Sequence, residues 1–206
     1  DPDWSRGLGD VYKRQLMAQS NLANFEVSSL RHCFSAGEPL NPEAMRSWKN
    51  ATGCDVYDGY GQTETINIIA NFPGMKIKKG SMGRPCPGFE IEIIDNQANI
   101  LEINQIGNIG IKITDPYPPG LFRGYYQDQK KTSEVFKNGW YFTGDTATKD
   151  KDGYFWFVGR SDDIITSSGY RISPFEVESV LLEHPYIVEA AVVAKPDNVR
   201  GEIAVS

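Results

Sequence analysis

The segment from Leu30 to Tyr57 constrains the fold most, because two short apolar runs flank a helix with clear start and stop signals. The runs Leu30–Ser35 and Cys54–Tyr57 each predict a short buried strand. The helix between them is bounded by an N-cap residue, a proline at the first helical position and a terminal glycine: Asn41, Pro42 and Gly53. Strand, helix, strand is a βαβ-like unit, and α/β proteins usually bind ligands at the carboxyl ends of such strands.

From about Ile77 the pattern becomes all-β. Phe89, Ile91 and Ile93 alternate with acidic residues, which predicts a strand with one buried face. A turn and two further strands are predicted at 95–99, 107–114 and 154–158.

After Asp163 the pattern changes again. Ser173 to Glu176 reads as a capping box with Pro174 at the first helical position, and Ile187 to Ala194 reads as a strand. The predicted fold class is therefore α/β plus β: a βαβ unit, then a β-rich subdomain, then the start of a small α+β domain, with the boundary near Asp162.

The domain boundaries follow from these changes. Residues 16–161 are predicted to belong to the larger domain and residues 162–206 to the start of the smaller one. Residues 1–15 are predicted to be non-native, because Asp10 to Gln15 reads DVYKRQ, as the translated transposase end of a DNA-library kit does. Both ends are expected to be cut.

Composition disfavours several classes of partner. The net charge is −6 and the sequence contains no Lys/Arg cluster, so nucleic acid and anionic membrane surfaces are not expected partners. No apolar run approaches the ~20 residues that span a bilayer. The 3 cysteines and 2 histidines show no metal-ligand spacing, and the cysteines predict no disulfide framework.

The motif Tyr60 to Glu64 places a hydroxyl and a carboxylate in one turn. A hydroxyl can donate to a phosphate, and a neighbouring carboxylate can hold Mg²⁺ against it. The alternative is a glycine-rich turn that begins a helix, with Thr63 as its cap.

Two further motifs carry possible binding residues. Thr143 to Asp145 is predicted to follow an aromatic strand, where Asp145 could accept hydrogen bonds from ribose hydroxyls or simply occupy a β-turn. Arg160 precedes a polar segment and the glycine-containing loop Ser167 to Arg171, which is either an anion site or a solvated linker.

Six runs occur in order: SAGEPL, YGQTE, GRPCPG, GWYFTGD, GRSDDII and SSGYRISPFEVE. Together they resemble the adenylate-forming, or AMP-binding, superfamily across residues 16–206. Within that superfamily, the sequence is most similar to medium-chain acyl-CoA synthetases.

The resemblance implies a role for each matching residue. The residues implied to contact ATP or AMP are Gly37, Glu38, Pro39, Asp58, Gly59, Tyr60, Thr63, Asp145 and Arg160. Thr63 and Glu64 are implied to be catalytic, with Glu64 also holding Mg²⁺. The remaining roles are the acyl pocket at Gly61, the hinge at Asp162, and coenzyme A contacts at Ser168, Gly169 and Arg171.

The implied activity is that of an ATP-dependent acid–thiol ligase. It forms an acyl-adenylate and then an acyl-CoA, with Mg²⁺ as cofactor and a small carboxylic acid, ATP and coenzyme A as partners. Acetyl-specific relatives place a Trp at the position of Gly61, so the glycine predicts a medium-chain fatty or aromatic acid. The implied location is the cytoplasm, or the mitochondrial matrix in a eukaryote.

Two family elements are missing from the sequence, the phosphate loop and a C-terminal lysine, so the fragment alone is expected to be inactive in adenylation. Two alternatives stay open. One is an adenylation domain that loads a carrier protein, or an aryl-CoA ligase; the other is a non-catalytic nucleotide-binding remnant.

Overall fold

The structure is a computed structural model. It describes residues 27–37, 42–181, 184, 186–187 and 190–206. Within them the chain forms three sheets and three helices, described below in chain order.

The first sheet contains the predicted strand–helix–strand unit. Its strands are ordered β1-β2-β3-β4, and β1 and β2 are parallel, so the βαβ-like prediction is confirmed. Gly53 ends the helix with a positive φ of +73°, as its position predicted. The elements are β1 (Cys33–Ala36), α1 (Pro42–Thr52), β2 (Val56–Gly61), β3 (Asn67–Ala70) and β4 (Arg84–Pro85).

The second sheet forms the β-rich part. Its path is β5-β6-β8-β7, and β9 also pairs with β8. The short helix α2 was not predicted; the side chain of Asp128 caps it by accepting from the backbone N–H of Lys131 at 2.9 Å. The elements are β5 (Ile91–Ile94), β6 (Gly107–Lys112), α2 (Gln129–Val135), β7 (Phe136–Lys137), β8 (Trp140–Lys149) and β9 (Phe155–Arg160).

The main core lies against this sheet. Phe89, Ile91 and Ile93 are buried, as their alternation predicted, and the facing isoleucines of β6 are fully buried with them. Burying each such side chain contributes about 1.5–3 kcal/mol. The alternating acidic residues point outward, where Glu90 pairs with Lys112 at 2.9 Å.

The third sheet is ordered β11-β10-β13-β12. The predicted cap at Ser173 is confirmed: its hydroxyl oxygen accepts from the N–H of Glu176 at 3.1 Å. The same hydroxyl donates to the carbonyl of Val158 in β9. The elements are β10 (Ile165–Ser167), β11 (Tyr170–Ile172), α3 (Pro174–Leu181), β12 (Val193–Asp197) and β13 (Gly201–Val205).

The strand predicted from Ile187 to Ala194 is largely wrong. Only Val193 and Ala194 of that range lie in β12, which continues to Asp197, and residues 188–189 lie outside the described part. β12 begins at Val193, which faces Val205 of its antiparallel partner β13.

An ion-pair cluster fastens the loop before β4 to the turn between β8 and β9. The ammonium of Lys78 lies 2.5 Å from Asp150 and 2.7 Å from Asp152. It also stacks over the ring of Tyr154, as does the guanidinium of Arg84, at 4.5 and 4.6 Å from the ring centroid. We call these five residues the Lys78 clasp.

Among the residues that the structure describes, no helix has both the length and the apolar character required to cross a bilayer.

Candidate functional site

Asp145 lies inside strand β8, so the prediction that Thr143 to Asp145 follow a strand is wrong, as is the β-turn alternative. Phe142 pairs with Gly110 and Thr146 pairs with Asn108, so residues 143–145 lie opposite a single residue of β6. Gly144 takes a φ of +79°, a conformation that glycine adopts readily and that lets the strand bulge and continue. The bulge therefore sets the position of the carboxylate.

Two side chains from the first sheet hold that carboxylate. The hydroxyl of Tyr60 donates to Asp145 Oδ2 at 2.5 Å, and the amide Nε2 of Gln62 donates to the same oxygen at 2.8 Å. Within the described part of the chain, Oδ1 of Asp145 accepts no hydrogen bond. The carboxylate is thus fixed through one oxygen, and the other remains available.

Gln62 is fixed in turn. Its Nε2 also donates to the carbonyl of Thr143 at 2.9 Å, and its Oε1 accepts from the hydroxyl of Tyr141 at 3.1 Å. Sequence reasoning missed both Gln62 and Tyr141. The only indication in the sequence was that Gln62 lies within the run YGQTE and Tyr141 within GWYFTGD, two motifs in which other residues had been selected.

The electrostatics follow from burial. Asp145 is 7% exposed, and this burial raises the pKa of its carboxyl, while the hydroxyl of Tyr60, the charge of Arg160 and the amide of Gln62 act in the opposite direction. The pKa of Tyr60 is raised well above its usual value, by burial first and then by the neighbouring Asp145. Tyr60 is therefore a hydrogen-bond donor at neutral pH.

Thr63 and Glu64 lie in the turn between β2 and β3, so the alternative in which Thr63 caps a helix is wrong. Thr63 is exposed, and Glu64 is half-buried. The hydroxyl of Tyr125 donates to Glu64 Oε1 at 3.1 Å. Burial raises the pKa of Tyr125, and its hydrogen bond to Glu64 raises it further. A hydroxyl and an oriented carboxylate therefore stand together on this turn.

This donor set suits Mg²⁺ only in the presence of a phosphate ligand. The described residues contain no group of three or more His, Cys, Asp or Glu that could hold a metal by themselves. Mg²⁺ is commonly bound by one or two carboxylates together with water and substrate phosphates. Glu64 beside Thr63 fits that arrangement.

Three of the predicted nucleotide contacts, Gly37, Asp58 and Gly59, lie together where β1 and β2 end. Ala36 pairs with Gly59 across the parallel strands, which brings Gly37, just past the end of β1, to the carboxyl end of β2. Asp58 in β2 is buried, and its Oδ1 accepts from the N–H of Gly59 at 3.0 Å. The predicted contacts Glu38 and Pro39 lie outside the described residues.

Gly61 has a backbone reason to be glycine. A Cβ built on it would lie 2.2 Å from the carbonyl oxygen of Ile66 and 3.0 Å from Cα of Asn67, because the strand pairing shifts register there. The absence of a side chain is thus explained by the close approach of the chain. The assignment of Gly61 to an acyl pocket stays a prediction.

The predicted hinge and coenzyme A residues follow along the chain. Arg160 pairs with Asp145 across β9 and β8, and its Nε donates to the exposed Asp162 at 3.2 Å. Ser168 and Gly169, both with positive φ, form the turn between β10 and β11, and Arg171 is exposed on β11. In the part that the structure describes, no hydrogen bond or ion pair joins residues 168–171 to the Asp145 network.

Comparison with known proteins agrees with this geometry. The sequence profile named AMP-binding enzyme matches residues 8–126, and the profile named AMP-binding enzyme C-terminal domain matches residues 176–206. The rat protein named mitochondrial acyl-coenzyme A synthetase ACSM3 is 53% identical over 189 residues, which is 92% of this chain and 33% of that protein. The chain therefore spans about a third of the curated relatives it matches.

Two solved structures are similar to this chain in three dimensions. An anthranilate CoA ligase, AuaEII, in complex with anthranoyl-AMP has a TM-score of 0.83 and 36% identity, covering 93% of this chain and 36% of its own. The O-succinylbenzoate coenzyme A synthetase of Bacillus subtilis, in complex with ATP and magnesium ion, has a TM-score of 0.80 and 30% identity, covering 94% and 39%. The expected adenylate-forming fold is confirmed, and the chain belongs to the AMP-binding enzyme family.

Proposed function

We propose that this chain is part of an AMP-forming acid–thiol ligase that converts a medium-chain fatty or aromatic carboxylic acid into its coenzyme A thioester. One observation supports this above the others. A buried carboxylate, Asp145, is held through one oxygen beside the turn that carries Thr63 and Glu64. In an AMP-binding enzyme, that arrangement suits a ribose next to its phosphates.

The proposed roles rest on the motifs of the family, and the placement of Asp145, Thr63 and Glu64 supports three of them. Asp145 accepts from the ribose hydroxyls, Thr63 donates to the phosphates, and Glu64 would hold Mg²⁺. When bound, Mg²⁺ supplies neutralisation of phosphate charge. The other proposed nucleotide contacts are Gly37, Glu38, Pro39, Asp58, Gly59, Tyr60 and Arg160.

The second part of the site is proposed to act later in the reaction. Asp162 serves as the hinge between residues 16–161 and 162–206, and Ser168, Gly169 and Arg171 contact coenzyme A. A few loop residues that absorb a φ/ψ change are sufficient for such a hinge.

The reaction proceeds in two balanced steps. An oxygen of the substrate carboxylate attacks the α-phosphorus of ATP, the bond to pyrophosphate breaks, and pyrophosphate leaves with the electron pair. The coenzyme A thiol then gives its proton to solvent, its sulfur attacks the acyl carbon, and AMP leaves. Aligning the nucleophile with the phosphorus is the main task of the protein in the first step.

Names of similar proteins support a coenzyme A thioester as product, an aromatic acid as one candidate substrate, and the compartment. The rat relative is a mitochondrial acyl-coenzyme A synthetase, and one structural neighbour is an anthranilate CoA ligase. We therefore propose a medium-chain or aromatic acid, and the mitochondrial matrix if the source is eukaryotic.

A chimera tests the proposal. This chain replaces the matching third of the rat enzyme, and release of AMP and acyl-CoA is measured with fatty acids from acetate upward and with benzoate. We expect activity with acids larger than acetate, and Asp145→Asn to reduce kcat/KM about tenfold to a hundredfold through the lost charged hydrogen bonds. Asp55→Asn, which removes only an exposed ion pair, is the matched control.

Two results would count against the proposal. One is a folded chimera that releases no AMP with any acid while the rat enzyme is active. The other is product formed from an amine and not from coenzyme A. Separately, residues 16–206 alone are expected to show no carboxylate-dependent ATP–pyrophosphate exchange, and exchange by that fragment would disprove this expectation.

A further inference from the structure

We propose that Gln62 is a positioning residue, which orients the Asp145 carboxylate for the nucleotide, and that Tyr141 fixes the Gln62 amide in the orientation this requires. The inference rests on the proposed function, because it takes Asp145 to be the ribose acceptor. It adds Gln62 and Tyr141 to the site. Neither side chain is charged or nucleophilic, so a search for such groups would not select them.

The orientation of the amide is determined by its partners. Nε2 faces two groups that can only accept, the carbonyl of Thr143 at 2.9 Å and the ionised Asp145 at 2.8 Å. Oε1 accepts a hydrogen bond from the hydroxyl of Tyr141 at 3.1 Å. A flipped amide would place oxygen against two acceptors and lose the hydrogen bonds to Thr143 and Asp145, so one orientation is strongly favoured.

The consequence for Asp145 is a fixed rotation of its carboxylate. Rotation about the terminal torsion of an aspartate is broad when nothing restrains it. Gln62 and Tyr60 both donate to Oδ2, so the group is restrained from two directions. Within the described residues Oδ1 keeps its lone pairs, which a ligand hydroxyl can use.

Gln62 also bridges two sheets, and a merely structural role must be separated from positioning. It lies after β2 in the first sheet, whereas Thr143, Tyr141 and Asp145 lie in β8 of the second. A purely structural bridge would change stability alone. A positioning residue also changes the protonation of Asp145, since its N–H bonds the charged form directly.

The first test uses the full chain without any ligand. The carboxyl ¹³C signal of Asp145 is followed by NMR as pH is varied, in the unmodified chain, in Gln62→Leu and in the exposed control Gln97→Leu. We expect Gln62→Leu to raise the pKa of Asp145 and Gln97→Leu to leave it unchanged. An unshifted Asp145 in folded Gln62→Leu overturns the inference.

Tyr141→Phe keeps the buried ring and removes only the hydroxyl, so it remains informative if Gln62→Leu does not fold. We expect a smaller upward shift of the Asp145 pKa in Tyr141→Phe, and no further shift when it is added to Gln62→Leu. Such non-additivity shows that Tyr141 acts through Gln62. Additive shifts, or no shift in Tyr141→Phe, overturn its part of the inference.

The second test adds AMP to the same chains and follows binding by NMR. We expect Gln62→Leu to weaken AMP binding about tenfold, since hydrogen bonds to charged groups are the stronger ones. A shifted Asp145 pKa with unchanged AMP affinity overturns positioning for the nucleotide. If the unmodified chain alone does not bind AMP, the same comparison is made in the chimera with the rat enzyme, whose activity tests the proposed function separately, while the titration still decides the role of Gln62.

Discussion

Asp145 shows how a single residue can be costly to the fold and useful to the site. Its carboxyl is buried, so ionisation is penalised even though three neighbours favour the charge. A residue with a raised pKa in the folded state makes the protein less stable as pH rises through that pKa. The charge is retained against this cost, which fits a binding role.

The first prediction concerns that cost. Asp145→Asn should increase the free energy of unfolding at pH 7, because an amide oxygen can still accept from Tyr60 and Gln62 without a buried charge. The gain should shrink as pH falls toward about 4, the usual pKa of an unfolded aspartate, where the unmodified carboxyl is neutral as well. Urea unfolding of both chains across this range measures the difference.

Asp145→Asn being less stable than the unmodified chain at pH 7 would contradict this prediction. The exposed variant Asp55→Asn controls for a general effect of removing one negative charge.

Residue identity in the site was predictable only in part. Asp145, Thr63 and Glu64 were found because charge and hydroxyl chemistry single them out. Gln62 and Tyr141 were not, because their contact depends on the register of β8 against the turn after β2. That register is set by the Gly144 bulge, and the sequence gives no direct measure of it.

At the scale of elements, local signals predicted the parts with strong start and stop residues. The β1–α1–β2 unit, β5 and the Ser173 cap agree with the structure. The failure at Asp145 has a physical reason, because the extent of a strand depends on its partners. Asp145 lies within a longer β8, whose residues on both sides of it pair with β6.

The second prediction concerns a glycine that positions an element. Gly83 has a φ of +101°, and a Cβ there would lie 2.1 Å from the carbonyl carbon and oxygen of Ala70. Gly83→Ala should therefore destabilise the chain by more than about 2 kcal/mol, since both the backbone conformation and the space are unsuitable.

Gly74→Ala is the matched control. Gly74 also has a positive φ, +89°, but a Cβ there meets nothing within 4 Å, so only the conformational cost of about 1 kcal/mol applies. Urea unfolding of both variants separates the cost of the backbone conformation from the cost of the contact with Ala70. Equal losses would show that the contact with Ala70 is not what requires glycine at 83.

At the scale of the whole molecule, the Lys78 clasp fastens the first sheet to the second. Burial alone would raise the pKa of Asp150, but hydrogen bonds from Lys78, from the backbone N–H groups of Tyr154 and Asp152, and from the indole of Trp156 lower it to about 2. The sequence did not predict this cluster, because its two parts, 78–84 and 150–154, are far apart in the chain.

The third prediction follows from that pKa. A carboxyl whose pKa is lowered from 3.8 to about 2 contributes stability above pH 4, and the contribution is lost as pH falls through this interval. Asp150→Asn should therefore cost about 2 kcal/mol at pH 7, and the difference should shrink as pH falls below 4 and vanish only below about pH 2. Acid unfolding followed by circular dichroism tests it, and an unchanged difference at low pH would contradict it.

The division of the chain into domains stays a prediction at this scale. The second sheet ends at Arg160 and the third begins at Ile165. Ser173 nevertheless bonds to Val158, and the rings of Phe157 and Phe175 lie 5.8 Å apart, so α3 contacts the larger part. A rotation at Asp162 would have to break these contacts.

The tight turn at Gly61 has a consequence for how enzymes of this family diversify. Any side chain at this position requires the backbone of Ile66 and Asn67 to move first, since the Cβ alone overlaps it. A lineage that exchanged this glycine for tryptophan would therefore need a second, compensating change in the hairpin. On the prediction that Gly61 lines the acyl pocket, acid preference and hairpin shape would be inherited together, and single substitutions at this position should seldom be viable steps between them.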